Sequence, residues 1–116
     1  MTREEVATMI SGIGIPYAYY QFPDNTGQNP PFICFYFSES ADLYADDLNY
    51  QKIDHLIIEL YTSNKDFDQE DAVGTTLNAN GLTWTRSEQY LDSEKLWMEI
   101  FETNVIITEG EINANN

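Results

Sequence analysis

The fold is decided by residues 50–62, which read YQKIDHLIIELYT. Successive side chains of a β-strand point to opposite faces of the sheet, so a strand shows a period of two. One face of this stretch carries Lys52, Asp54, Leu56, Ile58 and Leu60, and the other carries Ile53, His55, Ile57, Glu59 and Tyr61. Apolar residues recur at two-residue spacing on both faces, and the stretch is therefore predicted to be a long β-strand.

Four further strands are predicted from short apolar or alternating runs, at residues 17–22, 32–37, 82–90 and 94–107. The run FICFYF at 32–37 is apolar on both faces, which predicts a strand that is central in the sheet or covered twice. In 94–107, the side chains of Trp97, Phe101, Val105 and Ile107 alternate with those of Leu96, Met98, Ile100 and Ile106. Residues 23–31 (PDNTGQNPP) and 38–49 (SESADLYADDLN) are predicted to be exposed loops.

A first helix is predicted at the start of the chain. Thr2 and Glu5 form a capping-box pattern, in which each side chain bonds the other residue's free backbone N–H. The apolar stripe that follows consists of Val6, Met9, Ile10 and Ile13, and Gly12, Gly14 and Pro16 end the helix.

A second helix is predicted at residues 64–80, ending at Asn80-Gly81. Its first turns carry the carboxylates of Asp66, Asp68, Glu70 and Asp71, which suit the positive end of the helix dipole. Its apolar stripe, formed by Phe67, Val73 and Leu77, is loose. Gly74 is expected to weaken the helix by ~1 kcal/mol.

The element order α-β-β-β-α-β-β predicts an α+β fold, with two helices and a mostly antiparallel sheet of about five strands. Residues 1–107 are predicted to form a single domain, and residues 108–116 a polar C-terminal tail. The two longest strands would each span roughly 43–46 Å, against a domain diameter of roughly 35 Å. They are therefore expected to curl, to break at a bulge or to project as a hairpin, and a projecting edge favours homo-oligomerisation.

Charge narrows the class of partner. The chain has 116 residues, with 20 Asp and Glu against 5 Lys and Arg, a net charge of −15. This acidity argues against binding to nucleic acid or to an anionic membrane, because both require attraction to phosphate. No apolar run reaches ~18 residues and no basic start precedes an apolar stretch, so no membrane span or secretory signal is predicted.

No catalytic, cofactor or metal site is predicted. The single cysteine, Cys34, and the single histidine, His55, are interpreted as a packed thiol and a strand-face imidazole. One Cys and one His cannot assemble a zinc site. The acidic run at residues 66–71 lacks the glycine and the final carboxylate of a calcium loop, and it is interpreted as a helix start.

Three segments resemble a known family. They are ADLYADDLNYQKIDHLIIELYTSNKD, LTWTRSEQYLDSEKLWMEIFE, and Pro31-Phe32 leading into Tyr36. In pattern and element order, residues 1–107 resemble the tail terminator (tail completion) proteins of long-tailed bacteriophages and prophages. The shared features are strand patterns rather than a catalytic signature.

The resemblance implies a structural virion protein, assembled in the host cytoplasm, with no catalytic residues. Such proteins form a ring, generally of six subunits, on the head-proximal end of the tail tube. The ring stops tube growth and meets the connector of the head, and DNA passes through its lumen. The candidate lumen-facing acids are Glu39, Asp42, Asp46 and Asp47, and the candidate interface aromatics are Tyr20, Tyr44, Tyr50 and Trp97.

Three alternatives stay open. A head-closure or connector protein of the phage neck would share the small size and the ring. An acidic DNA mimic would be a monomer or dimer that binds a basic protein in a salt-sensitive manner. The third alternative is a small hydrolase.

Overall fold

The structure is a computed structural model that describes residues 1–22, 28–40, 43–45 and 49–108, with the backbone alone at 43–45 and 49–51. The helices are α1 (Arg3–Ser11) and α2 (Phe67–Ala79). The strands are β1 (Tyr17–Tyr19), β2 (Phe32–Ser40), β3 (Leu43–Ala45), β4 (Asn49–Gln51), β5 (Ile53–Thr62), β6 (Trp84–Leu91) and β7 (Leu96–Ile106).

Within the described ranges, the main sheet has five strands in the order β1-β2-β5-β7-β6. β1 runs parallel to β2, and the other neighbours are antiparallel. The α+β class, the mostly antiparallel sheet and the order α-β-β-β-α-β-β of helices and main-sheet strands are confirmed. The run at 32–37 lies inside the sheet, between β1 and β5, as its two apolar faces predict.

The core lies on one face of this sheet. The burial of β5 alternates strictly, and its buried side chains are Asp54, Leu56, Ile58, Leu60 and Thr62. Leu56, Ile58 and Leu60 join the inward apolar residues of β2 and β7 and the apolar stripes of both helices in one buried hydrophobic cluster. Both helices therefore cover the same face of the sheet, and the face that carries His55, Ile57 and Glu59 lies opposite.

The first helix forms as its capping pattern predicts. The Thr2 hydroxyl accepts a hydrogen bond from the Glu5 N–H at 3.0 Å, and the Glu5 carboxylate accepts one from the Thr2 N–H at 2.8 Å. Val6, Met9 and Ile10 are buried against the sheet.

The second helix departs from expectation at its start. It begins at Phe67 rather than at residue 64, because the Asp66 side chain accepts from the Gln69 N–H at 3.1 Å and caps it. Phe67 was predicted to join the apolar stripe with Val73 and Leu77, and this was wrong: its side chain is 63% exposed. The first helical position points away from the sheet.

The predicted loop at 38–49 contains strand structure. β2 continues to Ser40, and β3 pairs with β4 as a small hairpin. The β3–β4 pairing keeps the register of the distal β2–β5 ladder. Ser40 pairs with Asp54 in that ladder, and three residues further along the chain Leu43 pairs with Gln51, which lies three residues before Asp54. The predicted strand at 50–62 is interrupted at Lys52, and β2 carries a register shift between Phe37 and Glu39. Pairing between backbones determines the strand structure of this segment, and the apolar content of the sequence does not predict such pairing.

The predicted strand at 17–22 ends early, at Tyr19. The next residue, Tyr20, has φ of 67°, a left-handed conformation that bulky residues rarely adopt. Its N–H still donates to the Phe35 carbonyl at 2.7 Å. The chain turns out of the strand at this point.

Gly74 has a packing role that its helix propensity does not show. A Cβ at this position would lie 2.7 Å from Cζ2 of Trp84. That indole is tethered, because its N–H donates to Asn78 Oδ1 at 2.9 Å and its ring lies 5.4 Å from the ring of Phe101. The glycine therefore lets α2 approach β6 closely.

We predict that Gly74→Ala lowers the free energy of unfolding by about 1–3 kcal/mol, because overpacking outweighs the gain of ~1 kcal/mol in helix propensity. Thr75→Ala, at an exposed neighbouring position, is the control and should be neutral or slightly stabilising. Urea denaturation measures both. If Gly74→Ala stabilised the protein, the close packing would be contradicted. In a Trp84→Phe background, the loss of stability caused by Gly74→Ala should be smaller.

Candidate functional site

One edge of the sheet is only partly covered. β1 pairs with Ile33–Phe35, and no described strand pairs with the outer side of β2 beyond that point. Alongside lies a groove of about 710 Å³, the edge groove, lined by Arg3, Glu4, Ala7, Tyr19, Phe35, Phe37, Glu39, Ser40 and Asp54. The Tyr19 hydroxyl accepts from the Phe37 N–H at 3.3 Å. The groove thus combines an apolar floor with a strand edge, the arrangement that accepts an added strand.

The opposite edge is formed by β6. Within the described ranges no strand lies outside it, and its interior residues are exposed throughout. Its eight residues include two charged residues, Arg86 and Glu88, and no proline. A long, uncovered edge strand is a template for pairing with another chain.

Of the four predicted lumen-facing acids, only Glu39 lies within the described residues. Glu39 is exposed and pairs with His55 across the β2–β5 ladder. Asp42, Asp46 and Asp47 lie outside the described residues.

His55 is held by β7. Its Nε2 lies 2.9 Å from Glu102 Oε1, and its Nδ1 lies 2.8 Å from Asn104 Oδ1. Hydrogen bonds to Glu102 and then to Asn104 raise the imidazole pKa above its usual 6.5, and the charge of Glu39 adds to the effect. The charged form of His55 therefore stabilises the fold below pH 6.5, and this contribution is lost as the pH rises through the raised pKa.

The two predicted interface aromatics whose side chains the structure describes, Tyr20 and Trp97, pack against different rings. Tyr20 is 62% exposed, and its ring lies 5.3 Å from that of Tyr36. Trp97 packs against Tyr90, with ring centroids 4.9 Å apart. Tyr44 and Tyr50 pair with each other through the β3–β4 backbone, and their side chains lie outside what the structure describes.

The single cysteine lies away from the single histidine. Cys34 pairs with Glu59, whereas His55 stands four positions earlier on β5, roughly 13 Å away along the strand. Burial, with the nearby charge of Glu59, raises the thiol pKa to about 11. A buried thiol that stays protonated at neutral pH is a poor nucleophile.

An ion cluster built around two buried carboxylates, Glu70 and Glu99, lies between α2, β6 and β7. The Lys65 ammonium contacts Glu70 and Glu99 at 2.6 Å each and also contacts Glu88. Arg86 contacts Glu70 at 2.7 Å and Glu99 at 3.7 Å. The three carboxylates have oxygens within 4.8 Å of one another, a spacing that suits a metal ion, but Lys65 supplies a cation to all three.

Glu70 lies in the first turn of α2, as predicted, and is in addition buried and paired with Lys65. The cluster also explains the position of Phe67, which departs from the prediction. The exposed ring of Phe67 lies 5.0 Å from the Lys65 ammonium. Sequence reasoning missed Glu99, although a carboxylate at the inward position between Trp97 and Phe101 was the available signal.

Burial, together with the neighbouring carboxylates of Glu88 and Glu70, raises the pKa of Glu99 to about 7, against the lowering effect of Lys65. Because this pKa is above the 4.5 of a free glutamate, the contribution of Glu99 to stability is full below pH 4.5 and is lost as the pH rises through about 7.

Three of the five basic residues are bound to buried carboxylates. Arg3 contacts Asp54 at 2.7 Å, and Lys65 and Arg86 belong to the ion cluster. The interior therefore uses most of the positive charge, which leaves the surface strongly acidic.

The fold is similar to that of a solved chain whose structure is described as "Virion of native gene transfer agent (GTA) particle". The TM-score is 0.56 at 13% sequence identity, over 86% of this chain and 85% of that chain. At this identity the likeness shows a shared fold. No family model matches the chain, and no curated protein matches it. None of the helices in the described ranges is long and apolar enough to span a membrane.

We predict that Lys65→Met lowers the free energy of unfolding at pH 8 by about 3–5 kcal/mol, because it leaves buried carboxylates without their cation. At pH 5 the loss should be smaller, since Glu99 takes up a proton. Lys95→Met, in the exposed β6–β7 turn, is the control and should change stability by less than about 0.5 kcal/mol. An equal loss at both pH values in urea denaturation would contradict the ion-cluster account.

Proposed function

We propose that this chain is a structural protein of a phage-like particle and acts as a tail terminator. It stops growth of the tail tube at the head-proximal end and joins the tail to the head. The observation that carries the proposal is the fold shared with a chain of a gene transfer agent virion over most of both chains. The strand patterns that resemble tail terminators give the narrower role.

The two sheet edges support assembly of this chain into a ring. The edge groove beside β2 and the open edge of β6 lie at opposite ends of the sheet order. Because they are different surfaces, each copy can present one to the copy before it and the other to the copy after it. Such head-to-tail contacts close into a ring when the rotation between neighbours allows it. We propose that the ring is a homo-oligomer of six copies of this chain.

The acidic surface fits a ring that DNA crosses. A lumen that repels phosphate releases no counterions and so binds no DNA. We propose that Glu39, Asp42, Asp46 and Asp47 line the lumen, and that the aromatic residues Tyr20, Tyr44, Tyr50 and Trp97 contribute to contacts between subunits. The proposed partners are the tail-tube protein and a connector protein of the head.

The direct test is to polymerise the tail-tube protein from the same genome with and without this chain. We expect tubes that stop growing when this chain is added, with a ring at one end in electron micrographs and a multi-subunit mass by light scattering. Ala7→Glu, which puts a charge into the edge groove, should prevent ring closure. Ser11→Glu, on the exposed side of the same helix, is the matched control and should not.

Two other outcomes would assign a different function to the chain. A ring that binds the connector but leaves tube growth unchanged would point to a head-closure protein. A strict monomer that ignores the tube and binds a basic protein in a salt-sensitive manner would point to a DNA mimic.

The lumen proposal has its own test. Replacing Glu39, Asp42, Asp46 and Asp47 with Lys should retain assembled tails but slow or trap DNA during ejection, because Lys attracts phosphate. Fluorescent detection of released DNA measures this. Normal ejection from the quadruple variant would contradict the lumen placement, and replacing Asp68, Asp71, Asp92 and Glu111 with Lys is the charge-matched control.

A further inference from the structure

A second cavity lies on the sheet face that the helices do not cover. It has a volume of about 380 Å³, within the range of small-molecule and side-chain pockets. It lies at the end of the molecule where β6 turns into β7, away from the hairpin. We call it the aromatic pocket; its lining residues are Tyr20, Gln21, Phe22, Gln28, Phe32, Cys34, Tyr61, Leu91, Glu94 and Leu96.

The aromatic wall of this pocket is built from contacting rings. Phe22 meets Phe32 edge-on at 5.5 Å, and Phe32 stacks on Tyr61 at 4.8 Å. The left-handed backbone of Tyr20 turns the chain from β1 toward this wall, and such a conformation costs of order 1–3 kcal/mol unless the surroundings hold it.

One carboxylate and the amides of Gln21 and Gln28 supply the polar part of the pocket. Glu94 is the only charged group among the described lining residues. Below the wall, the two carboxylate oxygens of Glu59 accept from the hydroxyls of Tyr61 at 2.8 Å and Tyr36 at 3.2 Å. Lys95 follows Glu94 in the turn but does not line the pocket.

Aromatic rings beside the carboxylate of Glu94, with no described lining residue of positive charge, are complementary to a planar cation. A guanidinium group stacks on aromatic rings and forms forked hydrogen bonds to carboxylate, whereas an ammonium group does only part of this. We propose that the aromatic pocket binds an arginine side chain of a partner protein.

The arginine must come from a different protein. This chain has two arginines, and both are already paired with carboxylates of the same chain: Arg3 with Asp54 and Arg86 with Glu70, each at 2.7 Å. A second copy therefore lacks a free guanidinium to donate. The inference goes beyond the tail-terminator role and does not depend on it.

The test is a titration of the isotope-labelled full chain with N-acetyl-arginine methylamide, followed by amide chemical shifts in NMR spectra. We expect a dissociation constant in the millimolar range, because a single side chain contributes little binding free energy. The saturable shifts should appear at Tyr20, Phe32, Tyr61 and Glu94. Added salt should weaken binding, since the contact is partly electrostatic. The citrulline analogue, which has the same shape without the charge, is the matched probe and should cause no saturable shift.

Two variants localise the effect. Glu94→Gln removes the wall carboxylate at an exposed position and should weaken binding of the arginine probe by roughly 3- to 10-fold. Asp92→Asn, in the same turn but outside the pocket, should leave it unchanged.

Three results would overturn the proposal. Equal shifts with the citrulline or an N-acetyl-leucine probe would show an apolar site. Equal affinity for the lysine analogue would show a general cation site. Shifts spread over the acidic surface, with no loss in Glu94→Gln, would show non-specific attraction.

Discussion

The structure depends on the pairing of β5 with both β2 and β7, since this strand carries the alternation that separates a buried face from an open one. Ten consecutive pairs join β5 to β7, from Ile53–Ile106 to Thr62–Trp97. A shift of one residue would move every buried side chain to the opposite face. The helices close only the face that holds Leu56, Ile58 and Leu60. The remaining face and both edges are therefore left for other molecules, and the proposed functions rest on them.

The separation of a covered face from an open face also determines where the charged side chains lie. On the covered face, the buried carboxylates of β5 and β7 meet cations from elsewhere in the chain, as Asp54 meets Arg3 and Glu99 meets Lys65. Removing one partner of such a buried pair is costly, whereas surface pairs contribute little. Because the few basic residues are used inside, the exterior is left acidic. A strongly acidic exterior is consistent with the proposed ring that DNA crosses and with the proposed basic partner.

Local patterns with a direct physical meaning predicted much of this fold. The capping box of Thr2 and Glu5, the stop at Asn80-Gly81 and the alternation of β5 depend on neighbours in sequence, and the structure contains all three. Features that depend on distant partners were missed: the outward Phe67, the buried Glu99 and the pairing of β3 with β4. The aromatic pocket was also beyond prediction, because it joins the segment around Phe22 to the turn at Glu94. No local pattern reports contacts across that separation.

Hydrogen–deuterium exchange most directly tests the claim that the open edges of the sheet are closed by assembly. The free protein should exchange rapidly along the outer side of β2 at residues 36–40 and along β6, while β5 is protected in both states. In assembled tails, the account predicts strong protection of both edges and no change at β5. Edges that exchange as fast in the particle as in the free protein would contradict it.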